Sequence, residues 1–353
     1  MITGKKETRN SRVNLADVVP LPAPFTVRID PCGACNFKCV FCPCNQSDYK
    51  KQERHQRMTW DIFLKVLDGL KEWAKRDVIK RPGKETSLKV VDFHGFGEPL
   101  LNPLLADMVR EIKRARVCRE IRLVTNGSLL TAKKSKDLID AGLDLCRVSI
   151  YALDRMGYKQ ICGVGLDPSC IIENVKCFYN LSRGTGSKIS AKIISSTLRS
   201  QEDVKSFYQI YDSITDFSFI EEVGTVWPKF KVNKEANIGK HVHGTYKDIC
   251  DVIKKSSMDR PICTMPFIEM QVHADGIVSP CSSDWRRELS YGNVMNKGIE
   301  NLWQSSAMLE LCKMHLNRKA YIDLPCKSCM VACDDNIDKD VEIILKKLCY
   351  IHC

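Results

Sequence analysis

Three cysteines, Cys35, Cys39 and Cys42, spaced C-x3-C-x2-C, constrain this chain more than any other feature. Residues 25–30 read as a short extended run, so the three thiols fall in the loop after a strand. Thiolates at these spacings can hold three corners of a cubane iron–sulfur cluster. The fourth iron would then have no cysteine from this loop, and an open iron is a place for chemistry. The same three thiols could instead hold zinc, with Cys32, Cys44 or a water as fourth ligand. Either way, the strand and loop must close around a metal site.

The wider cysteine usage supports metal over disulfides. The 353 residues carry 19 cysteines, an odd number, crowded at 32–44 and 326–333. The N-terminal residues are charged and lack the apolar stretch of a signal peptide, so cytosol is the expected compartment and metal ligation the expected use. No apolar run reaches the roughly 18–20 residues that cross a membrane. Apolar residues make up 44% of the chain, which allows a sizeable core and excludes global disorder. The formal charge of +11 is dispersed, with no aromatic–basic pattern of a nucleic-acid module. No nucleic-acid partner is expected. Scattered cysteines such as Cys118, Cys146, Cys162, Cys170 and Cys177 read as small hydrophobes.

Strand and helix patterns alternate over the first two thirds. Strands are expected at 25–30, 89–94, 120–125, 145–151, 188–197 and 217–223, and helices at 59–75, 103–115, 131–140, 169–180 and 202–211. Thr59 reads as a cap, Asn102-Pro103 as a cap and first-position pair, and Gly142 as a stop. Six β/α units make either a doubly wound sheet or an incomplete barrel. The loops after the first four strands carry the cysteines, Gly95, Asn126 and Ala152, and converging βα loops favour the barrel. The expected fold is therefore α/β, a partial (β/α)6 TIM-like barrel over 25–225. An N-terminal segment, 1–24, precedes it, and a basic linker with one short helix near 246–255 spans 226–259. A small cysteine-rich unit at 260–339 and a helical tail at 340–353 follow. Within the small unit, 271–273 and 277–280 flank Asp275-Gly276 as a hairpin, and 299–316 reads as one helix.

With Phe41 directly before the third cysteine, the loop resembles the signature of the radical S-adenosylmethionine (radical SAM) superfamily. His94-Gly95-Phe96-Gly97-Glu98-Pro99 after the second strand resembles that family's Gly-Gly-Glu-Pro segment. The resemblance implies a [4Fe–4S] cluster on Cys35, Cys39 and Cys42. It also implies SAM contacts from Phe41, Gly95, Gly97, Glu98 and Pro99, from Asn126 after the third strand, from Ser149 ending the fourth and from Arg199 after the fifth. Ile220 or its neighbours would flank the adenine. Cys32 and Cys44 fall outside the pattern. The implied chemistry is reductive cleavage of SAM to methionine and a 5′-deoxyadenosyl radical, which takes hydrogen from an unactivated carbon.

Cys263-x12-Gly276-x4-Cys281 followed by Cys326-x2-Cys329 resembles the SPASM/twitch auxiliary-cluster domains of the same enzymes, as do Gly292-Asn293 and Asn301-Leu302-Trp303. This implies a second [4Fe–4S] cluster on Cys263, Cys281, Cys326 and Cys329, with Cys333 as the alternative to Cys329. Zinc on the same thiols stays open. Trp303 reads as core packing. An auxiliary cluster can accept the electron released when a substrate radical becomes a ketone. The expected activity is thus oxidation of a sugar or aminocyclitol alcohol. Epimerisation and peptide modification are the alternatives, and a non-catalytic metal-binding scaffold is the reading from another class. The first strand begins by residue 25, leaving no room for a winged-helix peptide-recognition unit, which counts against a peptide maturase. A flavodoxin or ferredoxin is the expected electron donor. His94, Tyr151, Asp154, Arg155 and Trp227 are the candidate substrate-cavity residues; the catalytic residues are not readable.

Overall fold

The computed structural model describes residues 13–51, 56–80, 88–221, 227–229, 260–329 and 337–349. Six strands run in chain order and pair in parallel: β1 (Thr26–Ile29), β2 (Val90–Phe93), β3 (Glu120–Thr125), β4 (Leu145–Ile150), β5 (Lys188–Ile194) and β6 (Phe217–Glu221). The helices α1 (Trp60–Lys80), α2 (Leu105–Ala115), α3 (Ala132–Asp140), α4 (Arg155–Cys162), α5 (Pro168–Leu181) and α6 (Gln201–Tyr211) lie between them. This is the expected partial barrel.

Strand alternation sorts the core from the site. Val27, Ile29, Val91, Phe93, Ile121, Leu123, Val148, Ile150, Ile189 and Ile193 are buried in one apolar cluster with Phe63, Leu67, Met108, Ile112, Val175 and Phe207 of the helices. Each such side chain contributes about 1.5–3 kcal/mol. The alternate positions of the same strands carry Arg28, Asp92, Arg122, Arg147, Ser149 and Lys192. The inward face is therefore polar rather than a packed apolar plug.

The cysteine-rich unit is not separate from the barrel sheet. Its strand β7 (Glu269–Val272) pairs in parallel with β1, and β8 (Ile277–Ser279) and β9 (Gly292–Asn293) continue antiparallel, giving a nine-stranded sheet. The β7–β8 hairpin turns at Asp275-Gly276 as expected, with Gly276 at φ +82°. The Trp303 indole is buried and donates to Leu21 O at 2.9 Å, a packing role as read.

Four details differ from the sequence reading. The helix expected from Pro103 begins at Leu105, because Asn102 belongs to the preceding turn. There its amide nitrogen donates to Pro31 O at 2.8 Å and Met58 O at 3.0 Å. The single helix expected at 299–316 is two, α7 (Ile299–Trp303) and α8 (Ser306–Leu316). Ser305 interrupts it by taking the Met308 N–H, a local side-chain bond that competes with helix continuity. Helix α4 was not anticipated, although Asp154 caps it on the Gly157 N–H and Gly163 ends it at φ +66°. The 188–197 strand ends at Ile194 and finishes as a 3-10 turn. The tail forms α9 (Val341–Cys349). The linker helix near 246–255, the imidazoles at 241 and 243, Cys250, Cys333 and Cys353 lie outside the described residues. Among the described residues no helix is long and apolar enough to cross a membrane.

Candidate functional site

The cysteine loop leaves β1 and is pinned by backbone bonds to α4, from Lys38 N to Cys162 O at 2.8 Å and from Val40 N to Ile161 O at 2.9 Å. Among the described residues no three His, Cys, Asp or Glu side chains surround a single point. All three thiols are free, Cys39 hydrogen-bonded to Cys162 and Cys42 to Cys44. They are still near enough to act on one another. Burial pushes the Cys35 thiol up to about 12, with Glu98 and Cys42 adding. The Cys162 bond and burial hold Cys39 well above its ordinary value, and the bond from Cys44 pulls Cys42 down. Three enclosed thiols on one loop form a donor set suited to a soft metal centre.

The Gly95–Pro99 loop closes on this cysteine loop. Glu98 N donates to Ala34 O at 2.7 Å, and Gly97 N to Cys44 Sγ at 3.2 Å. Gly97 sits at φ +87°, and a Cβ there would stand 2.0 Å from Cys32 O. A Cβ on Gly95 would stand 1.7 Å from Asp30 Oδ1. In this structure the glycines admit the protein's own backbone and the Asp30 carboxylate, whereas the sequence reading has them admit a ligand. Cys44, outside the expected ligand set, is the thiol that ties the two loops together.

Glu98 is fully enclosed. Its Oε1 accepts from Thr125 Oγ1 at 2.6 Å and Leu100 N at 3.1 Å, and its Oε2 accepts from Asn126 N at 2.9 Å. Burial raises its pKa, and these three donors oppose the rise. Asn126 in turn donates to Asn36 at 2.8 Å and lies 4.0 Å from Cys35 Sγ. Pro99 is buried at the start of a 3-10 turn, and Ser149 is buried at the end of β4. Phe41 packs 5.7 Å from Tyr151, and its carbonyl accepts from Trp227 Nε1 at 3.1 Å. These residues gather around the cysteine loop. Arg199 stands apart: its exposed guanidinium pairs with Asp154 and Asp203, which it would have to leave to meet a carboxylate of SAM.

In the second set, Cys281, Cys326 and Cys329 stand near enough to influence one another. Burial drives Cys281 well above its ordinary value, with Glu269, Cys329, Asp284 and Cys326 adding. Burial pushes Cys326 up to about 12, and Cys329 adds. Two residues the sequence reading missed organise this site. Arg260 donates to Lys327 O at 2.8 Å and also binds Cys329 O. Its guanidinium lies over the Tyr321 ring at 4.7 Å. Tyr321 Oη takes the Cys263 N–H at 2.7 Å. Together they bring the Cys263 segment to the Cys326–Cys329 turn. His315 Nε2 is 3.7 Å from Cys326 Sγ. No motif marks these three residues; only buried partners for a loop rich in carbonyls would have suggested a cation there.

A polar interior lies under the glycine loop. Arg28 bonds Glu269 at 3.1 Å, Asp92 at 3.2 Å and His94 Nδ1 at 2.7 Å. Burial alone would lower the Arg28 pKa, but Glu269 and Asp92 outweigh it and hold the pKa above its ordinary value. Arg28 is therefore the donor, His94 Nδ1 the acceptor, and the His94 proton resides on Nε2. Burial and the cations Arg28, Lys192 and Arg147 hold His94 well below its usual pKa, so it is neutral. Its side chain is 34% open.

A partial barrel with a three-thiol loop at its mouth and a second thiol cluster on the same sheet defines a metallocluster enzyme. The radical SAM superfamily model matches residues 29–189, and the iron–sulfur cluster-binding SPASM model matches residues 263–330. The chain thus carries a radical SAM superfamily domain and a C-terminal iron–sulfur cluster-binding SPASM domain, which imply binding of SAM and iron–sulfur clusters. It is 32% identical over 121 residues to the tungsten-containing aldehyde ferredoxin oxidoreductase cofactor-modifying protein of Pyrococcus furiosus, covering 34% of this chain and 28% of that one. It is 30% identical over 212 residues to a probable GTP 3′,8-cyclase of Methanopyrus kandleri, covering 58% and 59%. The chain thus spans less than two thirds of these relatives. Its fold resembles that of BtrN, solved in complex with AdoMet and 2-DOIA, at TM-score 0.52 and 16% identity, covering 90% of this chain and 98% of that one.

Proposed function

We propose that this enzyme oxidises one alcohol carbon of a small polyhydroxylated molecule, a sugar or aminocyclitol, to a ketone. The polar barrel interior carries this reading. Three of its cations meet carboxylates: Arg28 with Asp92 and Glu269, Arg122 with Glu120, Lys192 with Glu221. A neutral polyol can exchange hydroxyls for water on such a surface without stranding a charge, because each hydroxyl both donates and accepts. His94 offers an Nε2–H to a substrate oxygen. The fold likeness to a protein solved with AdoMet and 2-DOIA is compatible with this.

The cluster on Cys35, Cys39 and Cys42, with SAM bound, would supply a 5′-deoxyadenosyl radical for hydrogen abstraction. Phe41, Gly95, Gly97, Glu98, Pro99, Asn126 and Ser149 would shape the SAM site. Cys263, Cys281, Cys326 and Cys329 would hold a second [4Fe–4S] cluster that takes the electron, with Cys333 the alternative to Cys329. A flavodoxin or ferredoxin would reduce the first cluster. Anaerobically reconstituted protein is then expected to contain about eight iron and eight sulfide per chain. About four would remove the second cluster, and zinc in place of iron would overturn the reading.

The reaction class has a direct test. Polyols, short peptides and GTP are incubated with SAM and reductant, and products are weighed. The expected product is lighter by about two hydrogens, one equivalent per 5′-deoxyadenosine, since one hydrogen atom leaves by abstraction and a proton and an electron leave the radical. A mass-conserved product carrying one deuterium in heavy water would defeat oxidation in favour of epimerisation through a thiol donor.

A further inference from the structure

A chain of buried polar groups that the proposed reaction does not use joins the two cysteine sites. Asp30, at the end of β1, takes the Phe96 N–H of the glycine loop at 3.0 Å and Gln271 Nε2 at 2.8 Å on one carboxylate oxygen. Its other oxygen meets His273 Nδ1 at 2.8 Å. His273 Nε2 meets Ser279 Oγ at 3.1 Å, and Ser279 Oγ donates to Asp284 at 2.9 Å. Asp284 accepts the N–H groups of Glu288 and Leu289 at 3.0 Å, and its own N–H points to Cys281 O at 3.4 Å. Asp30, His273, Ser279 and Asp284 are all buried, and Phe96 stacks on the His273 ring at 5.8 Å.

Asp30, His273 and Ser279 each have a polar neighbour on two sides. In a low-dielectric interior, breaking one link strands a buried donor or acceptor, so a displacement at one end is resisted along the chain. Gly95 leaves no slack on one side, since its missing Cβ would overlap Asp30. On the other side, Ser279 lies on β8 immediately before Pro280-Cys281.

We propose that His273 is a positioning residue that holds the glycine loop, through Asp30, and the Cys281 loop, through Ser279 and Asp284, in one fixed relation. Filling the SAM site is thereby felt at the auxiliary cluster. This rests on the two-cluster reading above. Because coupling is reciprocal, a ligand that favours one oxidation state of that cluster shifts its reduction potential by the matching amount.

The test is a potentiometric titration of the reconstituted enzyme, followed by electron paramagnetic resonance, with and without S-adenosylhomocysteine as a non-cleavable occupant. The auxiliary signal is assigned in Cys35→Ala protein. In the unmodified enzyme a coupling of about fivefold or more is expected, a shift of about 40 mV at 59 mV per tenfold for one electron. In Ser279→Ala the shift is expected to vanish, while S-adenosylhomocysteine affinity stays within about twofold because the Asp30–His273 half remains. In His273→Ala the shift is expected to vanish and affinity to fall about fivefold. No shift in the unmodified enzyme, or a full shift in Ser279→Ala, overturns the proposal. Should His273→Ala fail to assemble its clusters, Ser279→Ala decides alone. No substrate enters the measurement, so alcohol oxidation and this coupling fail separately. An iron content of about four per chain would remove the second cluster and the proposal with it.

Discussion

Single replacement of Cys35, Cys39 or Cys42 by alanine is expected to reduce SAM cleavage to background. Methionine and 5′-deoxyadenosine, quantified with dithionite present, should both disappear. Iron should fall by about four per chain while the second site keeps its own. The three thiols share one loop, and Cys42 bears on both Cys35 and Cys39, which is why a common centre is proposed for them. Cys44→Ala is the control. Its thiol accepts the Gly97 N–H and has no place in the ligand set. Its loss leaves one buried N–H without a partner, about 1–3 kcal/mol, and should slow cleavage without ending it. Wild-type turnover in any of the first three variants would remove that cysteine from the ligand set. Complete loss in Cys44→Ala with an intact fold would bring that thiol in.

The barrel was legible because short extended apolar segments alternate with amphipathic helical ones along the chain. Glu120–Thr125 has a buried residue at every second position, Ile121, Leu123 and Thr125, and the expected and observed bounds coincide. Helices with a clear cap and stop, such as Ala132–Asp140 between Thr131 and Gly142, were also placed to within a residue. Helix α4 escaped because it is only eight residues long and carries Gly157 in its first turn, though Asp154 and Gly163 mark its ends. The pairing of β7 with β1 could not be read at all. It joins residues more than two hundred positions apart, and no local pattern carries such a contact; the hairpin turn at Gly276 announces β8 but not the neighbour of β7.

The site was legible where chemistry fixes residue type. Seven cysteines, two glycines and Glu98 stand out in sequence because few substitutes do their work. What supports them does not stand out. Asp30, Gln271 and His273 are ordinary strand-end residues until β7 docks on β1, and Arg260 and Tyr321 acquire a role only when the Cys326–Cys329 turn presents its carbonyls. Arg199 is the converse case, a cation well placed in sequence whose partners Asp154 and Asp203 the strand order alone does not reveal.

Glu98→Gln is expected to weaken SAM binding about tenfold and lower the thermal midpoint by several degrees, with both clusters still assembled. From sequence, Glu98 reads as a SAM contact that also holds its loop; in the structure both carboxylate oxygens are already taken by Leu100 N, Thr125 Oγ1 and Asn126 N. All three are donors. A glutamine must turn its NH2 toward one of them, and the least disruptive choice sets it against the fixed Asn126 N–H. Two buried donors then face each other, a loss of about 1–3 kcal/mol. The strain falls on Asn126, whose amide lies 4.0 Å from Cys35 Sγ, and so on the wall of the SAM site rather than on a direct ligand contact. Thermal melting and calorimetric titration of SAM into the reconstituted variant separate the two roles. Weakened binding with an unchanged midpoint would make Glu98 a ligand contact after all. A lower midpoint together with weaker binding is what a brace between the glycine loop and the end of β3 requires. An Asp at this position should fare no better, because a side chain one methylene shorter cannot reach Leu100 N and Asn126 N at once.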